Sequence, residues 1–269
     1  MLGAMIGDII GSRFEFHNIK SKEFPLFTID CKPTDDSIVT LAVGKAILDC
    51  HGDYSNLGEE AVHAMQEVGR PYPRCGYGGH FKKWMYSDDP QPYNSLGNGA
   101  AMRVSPCAYA ASSLEEAIEL SRKVTEVTHN HPEGIKGAEA TTVAIYMAKT
   151  GSGIQEIRDY IHQHYYPMDF TLDNIRKSYF FDVTCQGTVP PAIMAFLEST
   201  SLEDAIRNAI SIGGDSDTLA AITGSIAAAF YGVPEELRTR AMTYLDERQS
   251  EILLAFESQF GAVRTRTLR

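Results

Sequence analysis

The sequence has 269 residues, 43% of them hydrophobic, enough for one large domain or two modest ones around a sizeable core. Its 24 Lys and Arg are outnumbered by 35 Asp and Glu, and the net charge of −11 argues against a free-standing nucleic-acid binder or a protein of anionic membrane surfaces, since both need clustered cations. An anionic ligand would have to be held locally, by metal ions, backbone N–H groups or helix N-termini.

The chain opens on an apolar run, Met1 to Gly7, that lacks a basic flank and is interrupted by Asp8 too early for a signal peptide. Cys31, Cys50, Cys75, Cys107 and Cys185 are odd in number, widely spread and form no C-x-x-C. They point away from a disulfide framework or structural zinc and toward a reducing cytoplasm. Residues 38–48 carry apolar side chains at i, i+3, i+4 and i+7, the period of a helix.

The stretch from Pro71 to Gly99 breaks that pattern with Pro71-Tyr72-Pro73, Gly76-Tyr77-Gly78-Gly79 and Asp88-Asp89-Pro90, and reads as a long loop, functional or disordered, whose aromatic content favours function. Helical periodicity returns near 114–127, 134–149, 153–164, 189–199, 202–211, 217–231, 234–245 and 248–260, with Ser113 and Ser201 in cap positions. The longest apolar stretch, Leu219 to Tyr231, is uncharged, but Thr, Gly and Ser break it and it falls short of the about 20 residues a bilayer requires. It is expected to be a buried helix, and no membrane association is expected. Alternating strand patterns are scarce. The expected fold is all-α, an orthogonal multi-helix bundle of about eleven helices in one compact domain over 1–269.

Two acidic motifs stand at helix starts, Thr34-Asp35-Asp36-Ser37 and Asp215-Ser216-Asp217-Thr218. Capping alone would explain either, because these side chains accept from free N–H groups and suit the positive end of the helix dipole. Capping needs one acceptor, however, and each motif concentrates two carboxylates whose repulsion calls for a cation. Oxygen-only ligands select Mg²⁺, Mn²⁺ or Ca²⁺ over zinc, and paired carboxylates suit a two-metal hydrolytic site. Ala220, Ala221, Gly224, Ser225, Ala227 and Ala228 would let the second helix approach a neighbour closely, though core packing explains them equally well.

These motifs, together with Gly3 to Glu15, Gly97-Asn98-Gly99-Ala100-Ala101-Met102-Arg103, Thr128-His129 and Gly213-Gly214, resemble the ADP-ribosylglycohydrolase family over nearly the whole chain. The resemblance implies an all-α fold with a two-metal site at helix N-termini. Two Mg²⁺ or Mn²⁺ ions would be held by Thr34, Asp35 and Asp36 on one side and Asp215, Asp217 and Thr218 on the other. It further implies ADP-ribose lying across the metals and cleavage at C1″ of its terminal ribose.

By resemblance Glu15 is the general base or the group that positions water, with Asp36 counted beside it as catalytic. Asp8 is read as a cap or as a partner of the metal ligands. Gly76, Gly78, Ser95, Gly97, Asn98 and Gly99 fall where the family's loops wrap the ligand, and His129 where a side chain lines the cleft. Ordinary turn chemistry and a structural histidine are the plain alternatives. The segment from Cys185 to Pro190 resembles one near the adenosine side in some bacterial members, with no catalytic part for Cys185. The substrate implied is an ADP-ribose conjugate of a protein, a nucleic acid or a small molecule. A non-catalytic ADP-ribose binder and a two-metal phosphate or pyrophosphate hydrolase are the rivals.

Overall fold

Several helices begin in this chain where the sequence supplies a side-chain acceptor. Thr34, Ser113, Thr184, Ser201 and Asp246 each accept a backbone N–H of the turn they open. The computed structural model describes residues 1–261. In order they form α1 (Leu2–Gly11), α2 (Asp35–Asp49), a 3₁₀ turn (Tyr54–Asn56), α3 (Leu57–Gly69), α4 (Gly79–Met85), α5 (Gly99–Met102), α6 (Ser105–Ala110), α7 (Leu114–Glu126) and α8 (Pro132–Thr150). These are followed by α9 (Ile154–His164), α10 (Leu172–Arg176), α11 (Cys185–Leu197), α12 (Leu202–Ser211), α13 (Ser216–Tyr231), α14 (Glu235–Met242) and α15 (Glu247–Phe260). Among the described residues there is no strand; a lone antiparallel bridge joins Gly97 to Thr184. The all-α expectation is therefore met.

The helices read from periodicity are present as α2, α7, α8, α9 and α11 to α15. Two long helices escaped that reading, α1 and α3, and four short ones, α4, α5, α6 and α10. Every residue of α1 is buried, so it has no polar face to generate an amphipathic period. The stretch 71–99 is not one continuous loop, because α4 is folded within it. Helix α11 begins at Cys185, four residues before the periodic run, since Thr184 caps it and Pro190 and Pro191 are carried inside rather than at its start.

The centre of the molecule is α13, buried from Ser216 to Ala229. Helix α1 lies antiparallel against it. A methyl group added to Gly3 would strike the Gly224 carbonyl, one on Gly7 the Ala220 carbonyl, and one on Gly11 would stand 2.6 Å from the Asp217 Cα. Glycines at every fourth position thus admit the α13 backbone, and burial of α13's Ala and Ile side chains against α1, α8, α11 and α12 makes this seam part of one continuous core. The consequence for function is positional: the end of α1, leading to Glu15, is brought to the start of α13, where Asp215 and Asp217 stand. Helix α2 packs beside α1 with its own N-terminus at the same place. All five cysteines are free, and among the described residues no helix is long and apolar enough to cross a membrane.

Candidate functional site

Asp8, the only charged residue of α1, has no water to ionise into and takes four protein donors instead. Its Oδ1 accepts from Thr34 Oγ1 at 2.6 Å, and its Oδ2 accepts from Thr34 N at 2.9 Å, Ser37 N at 3.0 Å and Ser37 Oγ. It therefore fastens the first turn of α2 to α1. Burial raises its carboxyl to about 6, against the opposing bonds from Ser37 and Thr34.

The two acidic motifs meet on this frame. Thr218 Oγ1 donates to Asp36 Oδ2 at 3.1 Å across 182 residues of sequence. Carboxylate oxygens of Asp8, Asp36 and Asp217 all lie within 4.8 Å of one another, and those of Glu15, Asp215 and Asp217 do the same. The two triads share Asp217. Burial, then the charge of Asp8, pushes Asp35 up to about 8; burial, then Asp215, pushes Glu15 up to about 7. Asp36 and Asp217 are raised well above the ordinary range, first by burial and then by Asp8 and Asp36 respectively. Burial also raises Asp215, against bonds from Asp217 and Asn98.

The capping alternative separates the two motifs. Thr34 does cap α2, accepting from Asp36 N at 3.3 Å. Asp215 occupies the cap position of α13 but makes no cap hydrogen bond; its Oδ2 accepts instead from Asn98 Nδ2 at 2.7 Å. Asp36 Oδ1 is buried without any hydrogen-bond partner. A buried carboxylate oxygen left unpaired is costly unless something else fills its place. Carboxylates and hydroxyls converging around it form an oxygen-only donor set of the kind that holds a hard divalent cation.

A cavity of about 340 Å³ opens over these groups. Glu15, Asp35, Asp36, Gly76, Gly78, Ser95, Gly97, Asn98, Gly99, His129, Asp215, Asp217 and Thr218 all line it; of the candidate catalytic, metal and ligand residues only Thr34 does not, lying behind with Asp8. Gly76 adopts a φ of +116°, and a methyl there would stand 2.6 Å from Asp35 Oδ1, so the turn is built around that carboxylate. Gly78 meets nothing within 4 Å and is open. Asn98 is held at both ends, its N–H donating to Val183 O at 2.7 Å and its Nδ2 to Thr188 Oγ1 at 3.1 Å as well as to Asp215. Cys185 is buried outside the cavity, its Sγ donating to Gly97 O at 3.1 Å.

Several walls were not legible in the sequence. Tyr93, His80, Phe81, Arg103, Phe181 and Val183 also line the cavity. Asn18, outside the cavity, ties the Glu15 loop to the start of α13. Its Nδ2 donates to Glu15 O at 2.9 Å and Gly214 O at 2.8 Å, while its Oδ1 accepts from Gly214 N at 2.7 Å. No local pattern marks such a residue, because its partner at the start of α13 is 196 positions away.

A family model described as ADP-ribosylglycohydrolase matches residues 1–262. Among similar proteins, the ADP-ribosyl-[dinitrogen reductase] glycohydrolase of Rhodospirillum rubrum is 27% identical, with 94% of each chain covered. ADP-ribosylhydrolase ARH3 of Xenopus tropicalis is 26% identical over 91% of each chain. ADP-ribosylarginine hydrolase Tri1 of Pseudomonas putida is 25% identical over 87% of this chain and 70% of its own. A solved structure, an ADP-ribosylglycohydrolase-related protein complex, superposes with a TM-score of 0.69 at 22% identity, covering 95% of this chain and 93% of that one, a likeness of fold.

Proposed function

The chain belongs to the ADP-ribosylglycohydrolase family, whose members hydrolyse glycosidic bonds of ADP-ribose, and from that premise we propose that it is a divalent-metal-dependent enzyme cleaving the C1″ bond between ADP-ribose and an acceptor. The observation that carries this reading is the unpaired, buried Asp36 Oδ1 in one of two carboxylate triads that meet at Asp217. Thr34, Asp35 and Asp36 from α2, with Asp215, Asp217 and Thr218 from α13, would hold two cations, Mg²⁺ or Mn²⁺; Asp8, sharing a triad with Asp36 and Asp217, braces the first set. When bound, the ions supply charge neutralisation, Lewis acidity and a template for the ribose hydroxyls.

The remaining work falls to the chain. Glu15, on the cavity wall beside Asp215 and Asp217, suits the role of the carboxyl that deprotonates or positions water, or protonates the departing acceptor. Asp36 keeps one buried oxygen unpaired. Gly76, Gly78 and the Ser95 to Gly99 turn present backbone to the ligand, while Asn98 fixes the orientation of Asp215. The substrate class is an ADP-ribose conjugate with a protein, nucleic-acid or small-molecule acceptor.

Calorimetric titration of ADP-ribose with Mg²⁺, and again after EDTA, followed by product analysis on mono-ADP-ribosylated arginine, serine and nucleotide substrates, tests the proposal. Metal-dependent binding and release of free ADP-ribose are expected. AMP among the products would indicate attack on the pyrophosphate, and failure to bind in both conditions would remove ADP-ribose as the ligand.

A further inference from the structure

Arg103 is 1% exposed, lines the cavity, and has no carboxylate partner among the described residues. A buried charge without a counter-ion is expensive unless dipoles replace one. Here they do. Arg103 Nη2 donates toward the Val124 and Thr125 carbonyls at 3.2 and 3.4 Å, which belong to the last turn of α7 and so to the negative end of its dipole. The same nitrogen donates to Thr128 Oγ1 at 2.6 Å and stands 3.4 Å from His129 Nδ1. Thr128 Oγ1 lies 2.7 Å from that Nδ1.

Proton counting fixes the direction of this chain of bonds. A guanidinium only donates, so Thr128 Oγ1 accepts from Arg103 and has its own proton to give. Its acceptor is His129 Nδ1. The reverse arrangement, with Nδ1–H donating to Thr128 Oγ1, would leave that hydroxyl without an acceptor among the described residues. His129 Nδ1 is therefore a lone pair, and the ring proton sits on Nε2. That nitrogen faces the Gly97 to Gly99 turn, where the missing side chains leave the space a ligand would use: added methyls would stand 3.6 and 3.4 Å from it. The titratable groups against the ring are Arg103 and Tyr93, neither of them an anion at neutral pH. Burial first, and Arg103 second, hold the imidazole far below its ordinary pKa and hence uncharged.

We propose that Arg103 is a positioning residue that, through Thr128, locks His129 as the neutral Nε2–H tautomer, making the ring a fixed hydrogen-bond donor to a ligand oxygen in the cleft and never a base. The donor role rests on the ADP-ribose reading given above; the tautomer lock does not. In a cleft floored by carboxylates, a donor that does not titrate lets an anionic or hydroxyl-rich ligand be held without a competing proton equilibrium.

Long-range proton–nitrogen correlation spectra of the Mg²⁺-loaded protein, without ligand, test the lock, with the His129 signals identified by their loss in His129→Gln. The expected pattern is the Nε2–H tautomer, unchanged between about pH 5.5 and about pH 8. An Nδ1–H pattern, or titration within that range, overturns the proposal. Thr128→Val removes the relay hydroxyl while leaving Arg103 in place, and should mix the tautomers and raise KM for a substrate that releases ADP-ribose by about tenfold, with kcat changed by less than about threefold and rescue by Thr128→Ser. Unchanged tautomer and KM in Thr128→Val would equally overturn it. Failure of ADP-ribose to bind the wild type, with the tautomer fixed as expected, would instead defeat the functional reading and leave the lock standing.

Discussion

Raising the pH should destabilise this protein when divalent cations are removed, and a bound cation should abolish most of that loss. Folding carries Asp35 from 3.8 to about 8, Glu15 from 4.5 to about 7 and Asp8 from 3.8 to about 6, in each case chiefly by burial. The folded state therefore holds more protons than the unfolded chain across this window. Stability from these groups is complete below their unfolded pKa values and is lost as pH climbs through the folded ones. Each retained proton gives a slope of about 1.4 kcal/mol per pH unit. Asp35 alone corresponds to about 6 kcal/mol for a wholly dry carboxyl, and roughly half that at its half-buried place on the cleft wall, still a large part of a typical 5–15 kcal/mol domain stability. His129 works in the opposite sense: its folded pKa is depressed, so its contribution recovers as pH rises toward about 6.5. Comparing EDTA with Mg²⁺ at each pH cancels that term. Urea unfolding followed by fluorescence of Trp84, the single tryptophan and a buried one, gives both curves. The gap between them should widen by at least about 3 kcal/mol between about pH 5 and about pH 8. A constant gap, or an EDTA curve that rises throughout, would refute the argument.

Three substitutions probe the frame and the cleft separately. Gly7→Ala would drive a methyl into the Ala220 carbonyl at the α1–α13 seam, where neither helix backbone can retreat, and should cost about 3 kcal/mol, read as a lowered Tm; an unaltered Tm would contradict the close approach. Asn98→Ala frees Asp215 Oδ2 and Thr188 Oγ1, so kcat/KM should fall about 10- to 100-fold in steady-state assays, against a stability loss of only about 1–2 kcal/mol. Gly76→Ala combines a strained φ with a methyl 2.6 Å from Asp35 Oδ1, and should weaken Mg²⁺ binding by at least about tenfold in calorimetric titration.

What was legible in the sequence was whatever is written locally. Helices with one polar face, such as α7 and α12, announced themselves by period, and their caps Ser113 and Ser201 by residue type. The acidic motifs were visible because four consecutive residues concentrated charge beyond what capping requires. Helix α1 was illegible for the opposite reason: buried on every side, it shows apolar residues in all directions and no period. Long-range pairing is written nowhere. Asn18 and Thr218 act through partners 196 and 182 residues away, and a single Asn or Thr carries no sign of it. The walls made by Tyr93, Phe181 and Val183 likewise depend on which loops the core brings together.

The small residues of α13 show how a feature that core packing explained equally well acquires a functional consequence. Their size admits Gly3, Gly7 and Gly11, and that fit sets the level at which α1 stops against α13. A shift of one helical turn along the seam, about 5.4 Å, would exceed the whole 4.8 Å span of either carboxylate triad and carry Asp8 and Glu15 away from Asp217. The register of two apolar helices therefore decides whether the acidic motifs form one cluster or two ordinary helix caps. A larger side chain at Gly224, which faces Gly3 far from the cavity, should for this reason impair metal binding while touching none of the residues that bind it.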